Sequence, residues 1–298
     1  GSRRLEIQID PTSYAPFVGG ITPALEIVLD EAATASRATG VDVAVIVAAS
    51  RIRHPLEART LARLAAKYAG EGAGDVVGFG LSNDERRGVT SEWESAFRIA
   101  RKAGLRSVPH GGELLGPEHL REVLDFLKPT RLGHGVRAAE SPDVLRRVID
   151  EGVAFEVCPA SNVSLGVYSE ASGVPVRTLM DAGATIALGA DDPLLFLSRL
   201  TAQYETLREQ GFDDAELAAL ASSSVEASFA DEASKRTWKA EIQDWLAADP
   251  SNDDDAEAHG ARIEAARSHG RNETPGGRVA EGQSKPPIIV GSASRTTP

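Results

Sequence analysis

Two histidines of the sequence directly follow short apolar runs, and glycines lie beside each of them. His110 begins the segment His110–Glu113 (HGGE), and His134 is the centre of the segment Gly133–Gly135 (GHG). Glycine lets the backbone turn sharply at these points, so the Glu113 carboxylate can reach the same space as the His110 imidazole. Imidazoles and carboxylates brought together in this way suit a metal-dependent hydrolytic site.

Two later segments add polar groups of the same kind. Cys158–Asn162 reads CPASN, and Gly189–Pro193 reads GADDP, with the adjacent carboxylates Asp191 and Asp192. An Asp-Asp-Pro sequence alone is typical of a helix cap or turn, and a single histidine is more often structural than catalytic. Their combination with His110, Glu113 and His134 is what indicates a site. Of the other histidines, His54 and His119 lie on helical surface patterns and are expected to be solvated. His259 and His269 fall near the end of the chain.

The elements that must position these residues alternate along the chain. Seven apolar runs predict strands, and amphipathic stretches lie between them. Because the runs are apolar throughout, they indicate a parallel sheet covered on both faces. Gly40, Gly104, Gly152 and Gly183 stand where left-handed caps would end the preceding helices. The predicted strands are Leu5–Ile9, Val41–Ala48, Val76–Leu81, Ser107–His110, Arg131–Gly133, Ala154–Val157 and Thr185–Leu188.

Seven strands of this kind fit either an open doubly wound sheet or a (β/α)8 TIM barrel. No glycine-rich phosphate-binding fingerprint follows the first strand, whereas polar residues follow nearly every strand, as in barrel enzymes. The sequence therefore predicts an α/β barrel that lacks one strand–helix unit. Helical patterns at Leu194–Arg208, Asp214–Ala227 and Asp231–Leu246 follow the last strand. We expect an incomplete barrel over residues 3–248 and a disordered tail over residues 249–298.

Composition restricts the class of protein. The net charge of −12 and pI near 5.1 argue against a nucleic-acid partner. The single cysteine, Cys158, excludes an intrachain disulfide and a thiolate-rich zinc site. No membrane span or signal pattern is evident in the sequence. These features predict a cytoplasmic enzyme that acts on a small molecule, and they leave its oligomeric state open.

The four segments with HGGE, GHG, CPASN and DDP resemble, in order and spacing, the successive motifs of the adenosine deaminase family. A weaker similarity at Val76–Glu85 falls where that family has its fourth strand and substrate loop, and the end near Ala227–Phe229 is also similar. The resemblance extends from Arg4 to Leu246. It implies zinc-dependent hydrolytic deamination of a 6-aminopurine nucleoside, adenosine or an adenosine-like molecule, to the 6-oxo product and ammonia.

The resemblance also implies a role for each site residue. His110 and Asp191 would be zinc ligands, and zinc makes water more acidic. His134 would orient or deprotonate the attacking water, and protonated Glu113 would donate to purine N1 while oxygen adds to C6. Asp192 would hydrogen-bond N7. Asn83 and Gly112 complete the implied substrate contacts.

Two departures from the family pattern bear on function. The family takes two further zinc ligands from a His-x-His at the end of its first strand, and this sequence contains no His-x-His. Since Leu5–Ile9 matches the second strand, we expect residues 1–298 to bind zinc poorly and to expose a sheet edge. In the substrate loop, Gly80 and Asn83 replace an aspartate and a glycine. The added amide of Asn83 predicts a preference for a modified adenosine, such as aminodeoxyfutalosine. In the alternative, the backbone of Asn83 contacts the substrate as the glycine backbone does in the family, and adenosine is the substrate.

Two other functions stay open on the sequence. An inactive barrel could bind a nucleoside or a protein partner without catalysis. A different metal hydrolase of the wider amidohydrolase group would also use histidines and carboxylates at strand ends, although Glu113 and the Asp191-Asp192 pair fit it less well.

Overall fold

The computed structural model describes residues 1–248; the predicted tail, residues 249–298, lies outside this part. Seven strands form one parallel sheet in which neighbours follow chain order. A doubly wound sheet reverses its strand order at a switch point, and this order has no reversal. The strands are β1 (Arg4–Ile9), β2 (Asp42–Ser50), β3 (Val76–Ser82), β4 (Arg106–Gly111), β5 (Arg131–His134), β6 (Ala154–Val157) and β7 (Ile186–Leu188).

The sheet is strongly curved, as a contact between β1 and β5 demonstrates. Arg131 Nη2 donates to Glu6 Oε2 over 2.7 Å. In a flat sheet these strands would lie four spacings apart, roughly 19 Å, which is too far for a direct bond between the two side chains. The curvature, together with the chain-order pairing, confirms the prediction of a partial TIM barrel, with β1 and β7 as its outer strands.

Helices cover the outer face of the sheet. They are α1 (Pro11–Val18), α2 (Ile21–Thr39), α3 (Pro55–Lys67), α4 (Glu94–Lys102), α5 (Pro117–Glu122), α6 (Pro142–Asp150), α7 (Pro159–Ser164), α8 (Val176–Asp181), α9 (Leu200–Glu209), α10 (Asp214–Ala227) and α11 (Glu232–Ala247). A π-helical turn, Val123–Leu127, follows α5. Within residues 1–248, no helix has the length and hydrophobicity that a bilayer crossing requires.

The sheet has an apolar cluster on each face. On β2, Val43, Val45 and Val47 belong to the large cluster shared with the helices. The alternate residues Ala44 and Ile46 belong to a small cluster with Val77 and Val108, against which Phe229 packs. Because successive residues of a strand point to opposite faces, the small cluster fills the concave interior of the barrel.

A buried ion network lies at the amino-terminal end of the barrel. Arg131, which is 4% exposed, pairs with Glu6 on β1 and with Glu156 on β6 at 2.7 and 2.5 Å. Its Nη1 also donates to the carbonyl of Ala227, and Glu6 accepts the backbone N–H of Phe229. The network therefore joins β1, β5 and β6 to the segment that follows α10.

Helix ends agree with the sequence pattern in most places. Gly40, Gly104, Gly152 and Gly183 all have positive φ, between 69° and 86°, which confirms the predicted left-handed caps. The predicted helix from Leu194 is wrong at its start, because the chain turns after Asp192 and the helix begins at Leu200.

Helix α1 was not predicted, since prolines within PTSYAPFV obscure the pattern. Asp10 nevertheless caps it, and Pro11 occupies the first turn, where proline is tolerated. The prediction that His119 is solvated is also wrong. His119 is 9% exposed, because its face of α5 turns towards the loops that follow β2 and β3.

Candidate active site

The carboxyl ends of four adjacent strands carry the candidate residues. His110 is the next-to-last residue of β4, and His134 is the last residue of β5. Cys158 directly follows β6, and Asp191 lies three residues beyond β7. Since the strands are parallel, these ends share one edge of the curved sheet, where barrel enzymes have their active sites.

His134 lies at the centre of this group. Its Nε2 is 3.4 Å from Glu113 Oε1 and 3.9 Å from Asp191 Oδ2. The His134 and His110 rings meet edge to face, with centroids 4.9 Å apart. The structure thus brings together His110, Glu113, His134 and Asp191, which the sequence had suggested as one site.

The glycines of the two motifs make room for these side chains. A Cβ on Gly133 would lie 2.8 Å from His110 Nδ1, and a Cβ on Gly112 would lie 2.7 Å from Leu120 Cδ1. Gly112 also has a φ of +76°, which a residue with a side chain adopts rarely. Any larger residue at Gly133 would displace the His110 ring.

Strained backbone is concentrated at the same edge. Of the five non-glycine residues with positive φ in the described part of the chain, three are the candidates Asn83, His134 and Asp191, at 72°, 66° and 56°. Asparagine, aspartate and histidine adopt this conformation more readily than other side chains. Such strain is maintained at functional sites when surrounding contacts determine the conformation.

Burial shifts the pKa values of Glu113 and His134 in opposite directions. It raises the pKa of the Glu113 carboxyl to about 8, and the charges of Glu85 and Asp191 act in the same direction. Burial also lowers the pKa of His134 well below its usual range, with His110 adding to the effect. At neutral pH the site therefore holds a protonated Glu113 next to an uncharged His134.

The polar atoms of the site fit a divalent cation and a polar substrate. His110 Nδ1, His134 Nδ1 and Glu113 Oε1 are buried and have no hydrogen-bond partner within residues 1–248. Ligand atoms of His134, Cys158 and Asp191 lie within 4.8 Å of one another. Nitrogen and carboxylate donors in such a group suit zinc and similar metals.

Sequence reasoning placed the Cys158 segment at this end of the sheet but gave Cys158 itself no role. Its thiol belongs to the same group, but burial raises its pKa well above the usual range, which favours the protonated thiol over a metal-binding thiolate. The available signal was its place directly after β6, at the same edge as the histidines.

The two remaining candidates lie farther out. Asn83 Nδ2 donates to Ser50 Oγ over 2.8 Å, so the amide that was expected to need a ligand already has a partner. Asp192 is exposed, and its Oδ1 accepts the backbone N–H groups of Leu194 and Leu195 at 3.1 and 3.0 Å. In this structure its carboxylate stabilises the turn that follows β7.

A second layer, which sequence reasoning did not identify, supports the loop of Glu113. Glu85 is 1% exposed, and Arg51 is 3% exposed. Arg51 Nη2 lies 3.2 Å from His119 Nε2, and His119 Nδ1 lies 3.7 Å from Glu85 Oε2. Burial and the Arg51 charge lower the pKa of His119 to about 4, so its ring is uncharged at neutral pH. Nothing in the spacing of these three residues distinguished them from surface charges.

A curved parallel sheet with histidines and carboxylates gathered at the carboxyl ends of its strands is the arrangement of a barrel with a candidate metal-dependent site. Comparison with known proteins identifies the family. A family model for adenosine deaminase matches residues 1–245, and the chain belongs to the adenosine deaminase family.

Relatives agree with this assignment. A Streptomyces coelicolor protein, named as an adenosine/adenine deaminase, is 60% identical over 249 residues, which are 83% of this chain and 72% of that protein. The adenine deaminase of Agrobacterium fabrum is 37% identical over 197 residues, 66% of this chain and 55% of that protein.

Two solved structures are similar to this one. The adenine deaminase of Arthrobacter aurescens has a TM-score of 0.77 at 30% identity and covers 83% of this chain and 74% of its own. An amidohydrolase of Burkholderia ambifaria with bound zinc has a TM-score of 0.74 at 23% identity and covers 83% and 71%; it shows the shared fold. The predicted family and the prediction of a deaminase-type hydrolase are both confirmed.

Proposed function

We propose that the protein is a zinc-dependent deaminase of 6-aminopurine nucleosides, with adenosine as the substrate. The observation that carries the proposal is the pair formed by Glu113 and His134. Their reactive atoms lie 3.4 Å apart, and burial makes one a protonated acid and the other an uncharged base. Separated proton affinities within one site are typical of acid–base catalysis.

His110 and Asp191 are the residues that would hold the metal. His110 has a buried imidazole nitrogen without a partner among the described residues, and Asp191 Oδ2 faces His134. Zinc, when bound, would make the attacking water more acidic. The zinc bound in the Burkholderia ambifaria amidohydrolase supports this choice of metal.

The chain's own residues account for the proton transfers. The neutral His134 accepts a proton as a C6–O bond forms from water, and Glu113 donates its proton to N1 of the ring. The C6–N6 bond then breaks after the amino nitrogen has gained a proton, and ammonia leaves. The proton taken by His134 passes to the leaving amino nitrogen. The second proton of the water is lost from the C6 hydroxyl as the C6=O bond forms, and it restores protonated Glu113.

Asn83 bears on the end of the substrate that carries the sugar. Asn83 has the left-handed conformation that a glycine would adopt, and Ser50 occupies its amide. The side chain thus leaves the Asn83 backbone available to the ring, which favours unmodified adenosine over a nucleoside with an extended ribose. We assign residues 3–248 to the deaminase domain. Within it, we assign Asp192 to a hydrogen bond with N7 of the purine ring, and Asn83 and Gly112 to other contacts with the substrate.

Free adenine is a second candidate substrate. The relatives from Agrobacterium fabrum and Arthrobacter aurescens are named as adenine deaminases, and the ring contacts proposed here do not require a ribose. We propose kcat/KM measurements by ammonia release for adenosine, 2′-deoxyadenosine, adenine and 5′-modified adenosines. A preference of tenfold or more for a 5′-modified nucleoside would contradict the adenosine assignment, and a similar preference for adenine would replace it. The absence of turnover on all four by zinc-loaded protein would contradict the deaminase proposal itself.

A further inference from the structure

The loop that carries Glu113 is held by a single buried carboxylate. Three successive backbone N–H groups, those of Glu113, Leu114 and Leu115, donate to Glu85 at 3.1, 3.0 and 2.8 Å. Glu85 lies three residues beyond β3 and is 1% exposed. One side chain therefore fixes the backbone of the loop between β4 and α5 from the side of β3.

Arg137 holds the same loop through its carbonyl groups. Its backbone N–H donates to the carbonyl of Gly112 over 2.9 Å, and its Nη1 donates to the carbonyl of Leu114 over 2.7 Å. Arg137 follows β5, just beyond His134. Residues 112–115 are thus hydrogen-bonded from the ends of β3 and β5. Their N–H groups donate to Glu85, and their carbonyl groups accept from Arg137.

Burying the Glu85 carboxylate has an energetic cost that contacts with apolar side chains do not offset. An ionised carboxylate is costly to bury unless charged or hydrogen-bonding groups surround it. Here the compensation comes from the three loop N–H groups and from the neighbouring Arg51 and His119. The three N–H groups satisfy the Glu85 carboxylate and fix the backbone of residues 113–115 relative to the end of β3.

We propose that Glu85 and Arg137 form a clamp that positions Glu113 for proton donation to the substrate ring. The proposal rests on the role assigned to Glu113 above. Neither residue contacts the reacting atoms, so both are positioning residues. The negative charge of Glu85 also helps to keep Glu113 protonated, since it raises the pKa of that carboxyl.

The clamp predicts losses in kcat rather than in substrate binding. Glu85→Gln keeps the shape and one acceptor oxygen but removes the charge from all three bonds, and we expect kcat to fall about 10- to 100-fold with KM within about threefold. Arg137→Ala removes the bond to Leu114 and keeps the backbone bond to Gly112, so we expect a loss of about 3- to 10-fold.

The experiment is a double-mutant cycle in the zinc-loaded protein. Glu85→Gln is measured alone and combined with Glu113→Gln, and single-turnover rates are used where turnover is slow. Metal content and thermal unfolding temperature are measured for every variant. The matched controls are Glu118→Gln and Arg121→Ala, an exposed ion pair on α5, and both should keep wild-type kcat.

A clamp acting through Glu113 predicts that Glu85→Gln has little further effect once Glu113 is Gln. An equal loss in both backgrounds, or wild-type kcat for Glu85→Gln, would overturn the proposal. If Glu85→Gln fails to fold or loses metal, Arg137→Ala decides, and unchanged kcat there would overturn it too. A Glu113→Gln variant with near wild-type activity would instead contradict the proposed function.

Discussion

Replacing Glu113 by glutamine should lower activity and raise stability at alkaline pH. The amide keeps the shape of the side chain but cannot give a proton to N1, so we expect kcat/KM to fall about 10²- to 10⁴-fold. Because the metal-binding residues are unchanged and the amide can still donate a hydrogen bond to N1, metal content and KM should stay close to wild type.

The effect on stability follows from the pKa of Glu113. Burial and two neighbouring carboxylates raise this pKa from 4.5 to about 8 in the folded protein. Since a tenfold change in proton affinity is worth about 1.4 kcal/mol, the displacement corresponds to about 5 kcal/mol. Entry of water into the site reduces this figure, and we expect about 1 to 3 kcal/mol.

The sign of the effect defines the pH window. A carboxyl with a raised pKa stabilises the fold fully below its unfolded value, and this contribution is lost as pH rises through the folded value. The metal-free wild type should therefore lose stability between about pH 4.5 and pH 8, whereas the glutamine variant has no such group. At pH 9 the variant should be more stable by the amount given above, and at pH 4 the two should nearly coincide.

Urea unfolding of the metal-free proteins at pH 4, 7 and 9 measures this difference, with Glu118→Gln as the control because its carboxylate is exposed. Parallel curves for wild type and Glu113→Gln across this range would refute the reasoning that Glu113 is protonated near neutral pH. Undiminished kcat/KM in the variant would refute its role as the acid.

Three other substitutions test separate parts of the structure. His110→Ala should lose bound zinc and activity together, measured by metal analysis and ammonia release, and full zinc occupancy would remove it from the ligand set. Arg131→Met leaves the buried Glu6 carboxylate without its main partner and should cost about 3 to 5 kcal/mol in urea unfolding; a cost below about 1 kcal/mol would show that the network is dispensable. Asn83→Gly should unfold within about 1 kcal/mol of wild type, because glycine adopts the φ of 72° freely while one hydrogen bond is lost, and a larger loss would contradict that account of the loop.

The strands and the site edge could be predicted because their signals are local. Continuous apolar runs mark the buried strands, and glycine marks the helix ends at positions such as Gly40 and Gly152, where only the left-handed conformation closes the helix. The same logic located His110 and His134, since a polar residue directly after a strand of a parallel sheet must lie at its carboxyl edge.

The supporting contacts could not be predicted because they join distant segments. Glu85 and Arg137 lie on different strand–helix units from Glu113, and their charges resemble those of surface residues in the sequence. The turn that the Asp192 carboxylate caps is local and typical of an Asp-Asp-Pro sequence, but the apolar pattern from Leu194 concealed that α9 begins only at Leu200. The ion network of Arg131 and Glu6 likewise requires the curvature that brings β5 opposite β1.

The central claim is that water replaces the 6-amino group at this strand edge with the help of a metal. The most direct measurement incubates zinc-loaded protein with adenosine, and in parallel with adenine, in water labelled with oxygen-18. Our account predicts ammonia in equal amount to a 6-oxopurine that carries one labelled oxygen, formed by the wild type and lost in His110→Ala. Zinc-saturated protein that releases no ammonia from either substrate, or a product without the label, would contradict it.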